Sequence, residues 1–429
     1  MTATTTNGVG APARPADGAP LAATDAPNPA MPLGIDGFTY ADLYDPAKLR
    51  DLLAVFDRWF GETAPGPRAQ FEVYRASKGQ GMTPLQQSEA ILVAAPFVGR
   101  FVGKLFGVEP ELERFREGVR KNDPLWRFRK DFAKKRVLRA DAGKSWTLGP
   151  TVARDAARAA LQAMTAAPIG GTTDEEATIA VAALPLLEVD DVARKAAKAG
   201  GAQWTDELRA RAARVRAAVD AFVPDGLGED EASLGRAVAF ALDALESWLA
   251  SRRRDEHDPL RRWVTMRVPK SLDYAHLVEV ERPDAKIPEL FVGPHHERRQ
   301  RLGFSLTDTR MSAREVEQEI DYCMLCHDRE KDSCSHGLPD PKAGGFKKNP
   351  LGVALAGCPL EEKISEMHAM RQAGELVAAL AIITVDNPMC PGTGHRICND
   401  CMKACIFQKQ EPVNIPQAET RVLTETLDL

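Results

Sequence analysis

All eight cysteines of this 429-residue chain lie in its last quarter or just before it: Cys323, Cys326, Cys334, Cys358, Cys390, Cys398, Cys401 and Cys405. None occurs in the first 322 residues. Clustered cysteines in a chain without a secretory leader point to metal or redox chemistry rather than to structural disulfides. Cys323 and Cys326 form a C-x2-C pair, and Cys398, Cys401 and Cys405 are spaced i, i+3 and i+7. On a helix both spacings put the thiols on one face. Eight thiolates are the number needed for two four-iron clusters at four ligands each. They would equally fill two zinc sites of four thiolates, and C-x2-C is the usual zinc signature. Iron–sulfur and zinc readings therefore both stand on the residues alone, the second describing a zinc-stabilised helical binding module without redox activity.

Cys358 and Cys390 are each followed by proline, as in the C-P that ends bacterial ferredoxin runs. Proline turns the chain away and removes a donor. The order "CMLC…C…CPL", a helix, then "HRICNDCMKAC" and "PVNIPQAE" over about residues 310–420 resembles a known family. This is the N-terminal cluster domain of the glutamate synthase small subunit and dihydropyrimidine dehydrogenase family, an α-helical ferredoxin. The resemblance implies two 4Fe-4S clusters and electron exchange with an FAD- and NAD(P)-dependent flavoprotein domain or subunit. It assigns Cys358, Cys398, Cys401 and Cys405 to one cluster. It gives Cys323, Cys326 and Cys334 to the other, completed by Cys390 or, failing that, by Gln417 as a cofactor-binding residue. Two gaps are wider than that family's: seven residues separate Cys326 from Cys334, and twenty-three separate Cys334 from Cys358. No strand with G-x-G-x-x-G follows, so the FAD and NAD(P) are expected on a partner or on a missing C-terminal domain. Any catalytic unit would lie there too, and no catalytic residue is assigned to this chain.

The surrounding sequence reads as mainly α, a helical N-terminal region plus a C-terminal α-helical ferredoxin-like module. Residues 1–36 are rich in Ala, Thr, Pro and Gly and read as a disordered tail. Helical domains are expected over 37–140 and 141–255, a connector over 256–309, and the two-cluster module over 310–429. "DPAKLRDLLAVFDRWF" places Leu49, Leu52, Leu53, Phe56 and Phe60 on one helix face. Thr83 before Pro84 marks a helix start, and Ser312 with Glu315 makes a capping box. One amphipathic helix is expected over about 360–385, a strand in "DYAHLVEVER", and a loop in the Gly-, Pro- and Lys-rich insert after Cys334.

Composition excludes several classes. Hydrophobic residues make up 44% and charged residues 27%, with a net charge of −5, so no global attraction to nucleic acid or anionic lipid follows. The basic run 127–139, which holds Phe128 and Phe132, reads as the solvated face of a helix rather than a nucleic-acid groove. Gly143, Lys144 and Ser145 resemble the end of a phosphate loop, but its first glycine falls at Leu138. No apolar stretch is long enough to span a membrane, and no leader is evident, so a cytoplasmic location is expected. His327, His336, His368 and His395 lie near the cysteines and are expected to support ligands or face solvent rather than bind metal.

Overall fold

The computed structural model describes residues 28–139, 148–169, 173–196, 204–223, 226–228, 230–294, 303, 310–390 and 398–429. Among them the chain is mainly helical, as expected, and holds isolated bridges in place of strands. "DYAHLVEVER" contributes one such bridge, Glu281 with Val292, and no strand. The phosphate-loop-like segment and His395 lie outside the described residues.

The first packing unit holds α1 (Pro46–Thr63), α2 (Pro65–Ser77) and α3 (Pro84–Phe106). Asp45 caps α1 by accepting from the Ala47 N–H at 2.7 Å. Thr83 and Gln86 satisfy each other's backbone N–H at the start of α3, which is why that start was readable. The buried face of α1 is narrower than its periodicity suggests. Leu52, Phe56 and Phe60 are buried, whereas Leu49 and Leu53 are 43% and 50% exposed. A ring cluster closes this core, with Phe60 stacked on Phe97 at 4.6 Å and Phe56 edge-on to Phe101 at 5.2 Å. Residues 28–36, read as the end of a disordered tail, pack onto it. Leu33 is buried and the Gly34 N–H donates to the Leu105 carbonyl at 2.8 Å. A Cβ at Gly34 would meet the Lys104 carbonyl oxygen at 1.9 Å, so only glycine fits.

The second unit begins inside α4 (Glu109–Phe128), which continues as a π-helical segment, Arg129–Val137. Leu125, Phe128, Phe132, Ala133 and Val137 face a core shared with α5 (Pro150–Gln162), α6 (Glu175–Ala196), α7 (Asp206–Val219) and α8 (Glu231–Arg254). The aromatic residues of the basic run are thus core residues. Arg129 is buried as well and donates to the carbonyls of Val264, Thr265 and Arg267 at 2.9–3.0 Å.

The third unit carries the cysteines on α9 (Ala313–Tyr322), α10 (Ser333–His336), α11 (Ile364–Gln372), α12 (Leu376–Asp386), α13 (Asp400–Ala404) and α14 (Ile415–Leu427). The Ser312–Glu315 capping box at α9 forms as expected. The single helix expected over 360–385 is two helices, broken at Gly374, whose φ is +79°. A left-handed residue at the end of α11 stops the helix, and a Cβ there would press on Arg116. Helix α12 is apolar nearly all round, which suits a helix buried on several sides. Its Ala378, Ala379, Ile382 and Ile383 share a core with Ile91 and Ala95 of α3 and Val422 of α14. No helix of the described residues is long and apolar enough to cross a membrane.

A buried charge network joins α4 to the third unit. Arg371 of α11 pairs with Glu425 at 2.9 Å and with Glu317 at 3.9 Å, and it lies over the Phe115 ring. Glu317 accepts from Asn122 of α4 at 2.8 Å. Burial, only partly offset by Arg371 and Asn122, pushes the Glu317 carboxyl up to about 7. The folded state therefore holds a proton on Glu317 that the unfolded chain releases near pH 4.5. Stability from this group is full below that pH and is lost as the pH rises through 7. In Glu317→Gln the loss is removed. The stability of the native chain relative to this variant, from urea unfolding, is expected to fall by up to about 3 kcal/mol between pH 4.5 and pH 8.

Candidate metal centre

The cysteine loops are turns, and their backbone explains where each thiol goes. Cys323 is the C-cap of α9. The chain then leaves the helix through Leu325 at φ +46°, and Cys326 opens a 3-10 turn. The C-x2-C pair therefore sits on a turn and not on a helix face. Glu330, Glu361 and Asn399 also have positive φ, so four of these rare left-handed residues fall within or between the cysteine loops. For a residue such as Leu this conformation is a true outlier, and such strain collects at functional sites. Its effect here is to aim amide groups at sulfur. The Leu325 N–H donates to Cys323 Sγ at 3.4 Å. Leu360 and Glu362 donate to Cys358, and Phe407 and Val413 donate to Cys405.

The insert between Cys334 and Cys358 is a looped ribbon, as its composition suggests. Leu338 donates to the Leu355 carbonyl at 2.9 Å and Leu355 to the Lys347 carbonyl at 2.8 Å. Its base is closed by the Cys358 N–H on the Cys334 carbonyl at 2.9 Å. Gly337 and Gly357, both at positive φ, press backbone on backbone there. A Cβ on Gly357 would sit 2.5 Å from the Gly337 nitrogen and 2.6 Å from the Ser335 oxygen.

Two groups of thiols result. Cys323, Cys326, Cys334 and Cys405 surround one site, walled by Ile364, His368, Phe407, Val413 and Ile415. Cys358, Cys398 and Cys401 line a second, together with Glu362 and Glu419. Cys390 is buried and lies close enough to Glu419 and Glu362 for their charges to act on it. This differs from the expected partition at two positions: Cys405 lies with Cys323, Cys326 and Cys334, and Cys390 lines neither site but is buried in the core of α12, within reach of the charges of Glu419 and Glu362. The reason is the shortness of α13. Cys398 precedes it and Cys405 is its C-cap, in extended conformation, so the three thiols do not share a helix face. Gln417 lines neither site. Its side-chain oxygen accepts from the Met311 N–H at 3.3 Å, while Glu419, two residues on, lines the second site.

The electrostatics of both sites disfavour an empty thiolate. Burial pushes the Cys323 and Cys390 thiols up to about 12. It also raises Cys326, Cys334, Cys358, Cys401 and Cys405. Asp332, which accepts from the Cys334 thiol at 3.0 Å, adds to this in the first site. In the second, burial and the neighbouring Glu362 push Glu419 up to about 9. Buried thiols beside carboxyls, with amide donors aimed at sulfur, form a donor set suited to a cationic guest that takes the thiol protons' place. The two sites differ in room: the space a water can enter is about 10 Å³ in the first and about 470 Å³ in the second. The first admits a larger guest only if its sulfurs spread. Among the described residues no three His, Cys, Asp or Glu side chains converge on a point where one metal ion would sit.

The histidines divide. His327 is buried, and its Nδ1 and backbone N–H both meet Ser365 Oγ, at 2.6 and 3.1 Å. His336 is exposed and faces Glu361 at 3.6 Å. His368 is fully buried, and neither ring nitrogen has a partner. Glu362 and Glu419 were not singled out from the sequence, where nothing distinguishes them from other surface-like glutamates.

A family model described as "RP005 N-terminal alpha-helical domain" matches residues 33–107, the segment that forms the first core. Two curated proteins of Rickettsia prowazekii (strain Madrid E) are similar over short stretches. "Uncharacterized protein RP006" is 68% identical over 41 residues, 10% of this chain and 6% of that protein. "Uncharacterized protein RP005" is 33% identical over 82 residues, 18% of this chain and 28% of that protein. The chain thus spans far less than two thirds of either relative. No solved structure matches. These findings overturn the resemblance to the glutamate synthase small subunit and dihydropyrimidine dehydrogenase family. The family that matches is a different one, and the described residues hold no single-ion group of three ligands.

The closure at Gly357 gives a direct test of the site's architecture. Gly357→Ala is expected to destabilise the chain by more than about 2 kcal/mol, since it adds a backbone clash to an unfavourable φ. Gly352→Ala, also at positive φ but in open space, is expected to cost only about 1 kcal/mol. Urea unfolding of both variants checks the difference.

Proposed function

We propose that this chain is an iron–sulfur electron carrier, with one 4Fe-4S cluster held by Cys323, Cys326, Cys334 and Cys405 and a second by Cys358, Cys390, Cys398 and Cys401. The observation that carries this reading is the gathering of seven thiols into four and three, in turns whose amides donate to sulfur, with Cys390 buried near the carboxyls of the second group. Hydrogen bonds to sulfur, burial and net charge are the means by which a protein sets a cluster's potential. The clusters supply reversible one-electron storage. The chain's residues hold the thiols, exclude water and carry the connection between the sites. That connection is short: Cys334 and Cys358 are joined by a backbone hydrogen bond, and Cys401 and Cys405 lie at the two ends of one helical turn.

A zinc ion holds its four thiolates at about 2.3 Å, which requires all four sulfurs to meet around one point, and among the described residues no three such ligands do so. A four-iron core spaces its thiolates around a larger body, for which the sulfurs of the first site would have to spread. The partner such a carrier serves is a flavoprotein, because a flavin turns a hydride's electron pair into single electrons.

Anaerobically purified protein is expected to be brown, with about eight irons and eight acid-labile sulfides per chain. Cys334→Ala and Cys401→Ala are each expected to lose about half of the iron. The double variant Cys334→Ala/Cys405→Ala should lose no more than Cys334→Ala alone, whereas Cys401→Ala/Cys405→Ala should lose nearly all. Colourless protein with two zinc ions per chain would overturn the reading. Full loss of iron in the first double variant would overturn the partition.

A further inference from the structure

We infer that His368 donates a hydrogen bond from its ring N–H to the inorganic core of the first site and so raises the reduction potential of that site; this rests on the reading above. His368 lies on α11 and lines the first site beside Ile364, Phe407, Val413 and Ile415. It is fully buried, and neither nitrogen meets a protein partner. A neutral imidazole carries one N–H donor, and leaving such a donor buried and unmet costs about 1–3 kcal/mol.

Other polar groups on that wall do not compete for it. Ser365 Oγ is taken by His327. Asp332 does not line that site. Ser333 Oγ lines the same site and is also buried without a partner. Two unmet donors thus face a space whose other polar atoms are mostly sulfur. A sulfide- and thiolate-bearing core supplies the acceptors that the protein withholds. Reduction adds one negative charge to that core, and a fixed donor stabilises the more negative state more strongly. The second site carries no histidine among its described lining residues, and its buried carboxyls, Glu362 and Glu419, hydrogen-bond to each other.

The test is an EPR-monitored redox titration of the full chain, loaded with iron and sulfide, with iron counted in every sample. His368→Leu keeps the volume and removes the donor. It is expected to retain about eight irons and to shift the reduction equilibrium of one cluster at least tenfold towards the oxidised form, about 59 mV for one electron. His368→Gln retains an N–H donor and is expected to return the equilibrium to within threefold of the native value. Native chain labelled with 15N in histidine alone is expected to show nitrogen coupling to one reduced cluster, and His368→Gln should abolish it. This measurement does not depend on the leucine variant folding. Full iron content with both potentials unchanged in His368→Leu, or no histidine coupling in the native chain, would overturn the inference while leaving the clusters in place. Native chain without iron would overturn the proposed function itself.

Discussion

The hydrogen bond from the Cys358 N–H to the Cys334 carbonyl, 2.9 Å long, is the contact on which the arrangement of the thiols depends. It closes a loop of more than twenty residues, and loop closure of that length is a cost the rest of the structure must offset. The close approach it requires leaves no room for side chains, so Gly337 and Gly357 meet backbone to backbone. It also fixes one thiol of each site relative to the other. The ribbon bonds above it, Leu338 N–H to the Leu355 carbonyl and Lys347 N–H to the Leu338 carbonyl, both 2.9 Å, hold the same stretches of chain together.

Once gathered, the thiols face an electrostatic problem. Moving a thiol from its ordinary value of 9.0 to about 12, as at Cys323, penalises the thiolate by on the order of 4 kcal/mol. The acidic neighbours Asp332, Glu362 and Glu419 make this worse rather than better. Amide groups aimed at Cys323, Cys358 and Cys405 act in the opposite direction, and they exist because the backbone turns left-handed at Leu325 and Glu361 or leaves α13 extended at Cys405. The strain at these residues, roughly 1–3 kcal/mol each, is thus coupled to the chemistry of sulfur. A guest bearing several positive charges is what would make the combination favourable.

How much of this could be read from the chain alone follows from the range of the interactions involved. The caps at Thr83 and Ser312 were legible because the partners lie three residues apart and the hydrogen bonds are local. The mainly helical fold was legible from periodicity, although Leu49 and Leu53 show that periodicity overstates the buried face. The gathering of all eight cysteines in one module was legible from their positions. Their partition was not, because it depends on the sign of φ at Leu325, Glu361 and Asn399, and Leu and Glu carry no sequence signal for a left-handed turn. One signal is available in the spacing. In bacterial ferredoxin runs the last cysteine of a tight series turns to the other site, and Cys405 here lines the site of Cys323, Cys326 and Cys334. Gly374 was a second: a glycine at a helix end is a stop signal.

The first and third units are one mechanical body around α11. Ser88 of α3 hydrogen-bonds to the buried carboxyl of Glu366 on α11, and Asn122 of α4 reaches Glu317, which pairs with Arg371 on the same helix. Between Glu366 and Arg371 lies His368, on the wall of the first thiol site. The side of α11 that meets the 33–107 segment and the side that meets the thiols are therefore set by the same few residues. Interiors are close-packed and transmit small shifts rather than absorbing them. The segment matched by the family model thus packs against the first site by two routes, through Glu366 on α11 and directly against the Cys326–Arg329 turn.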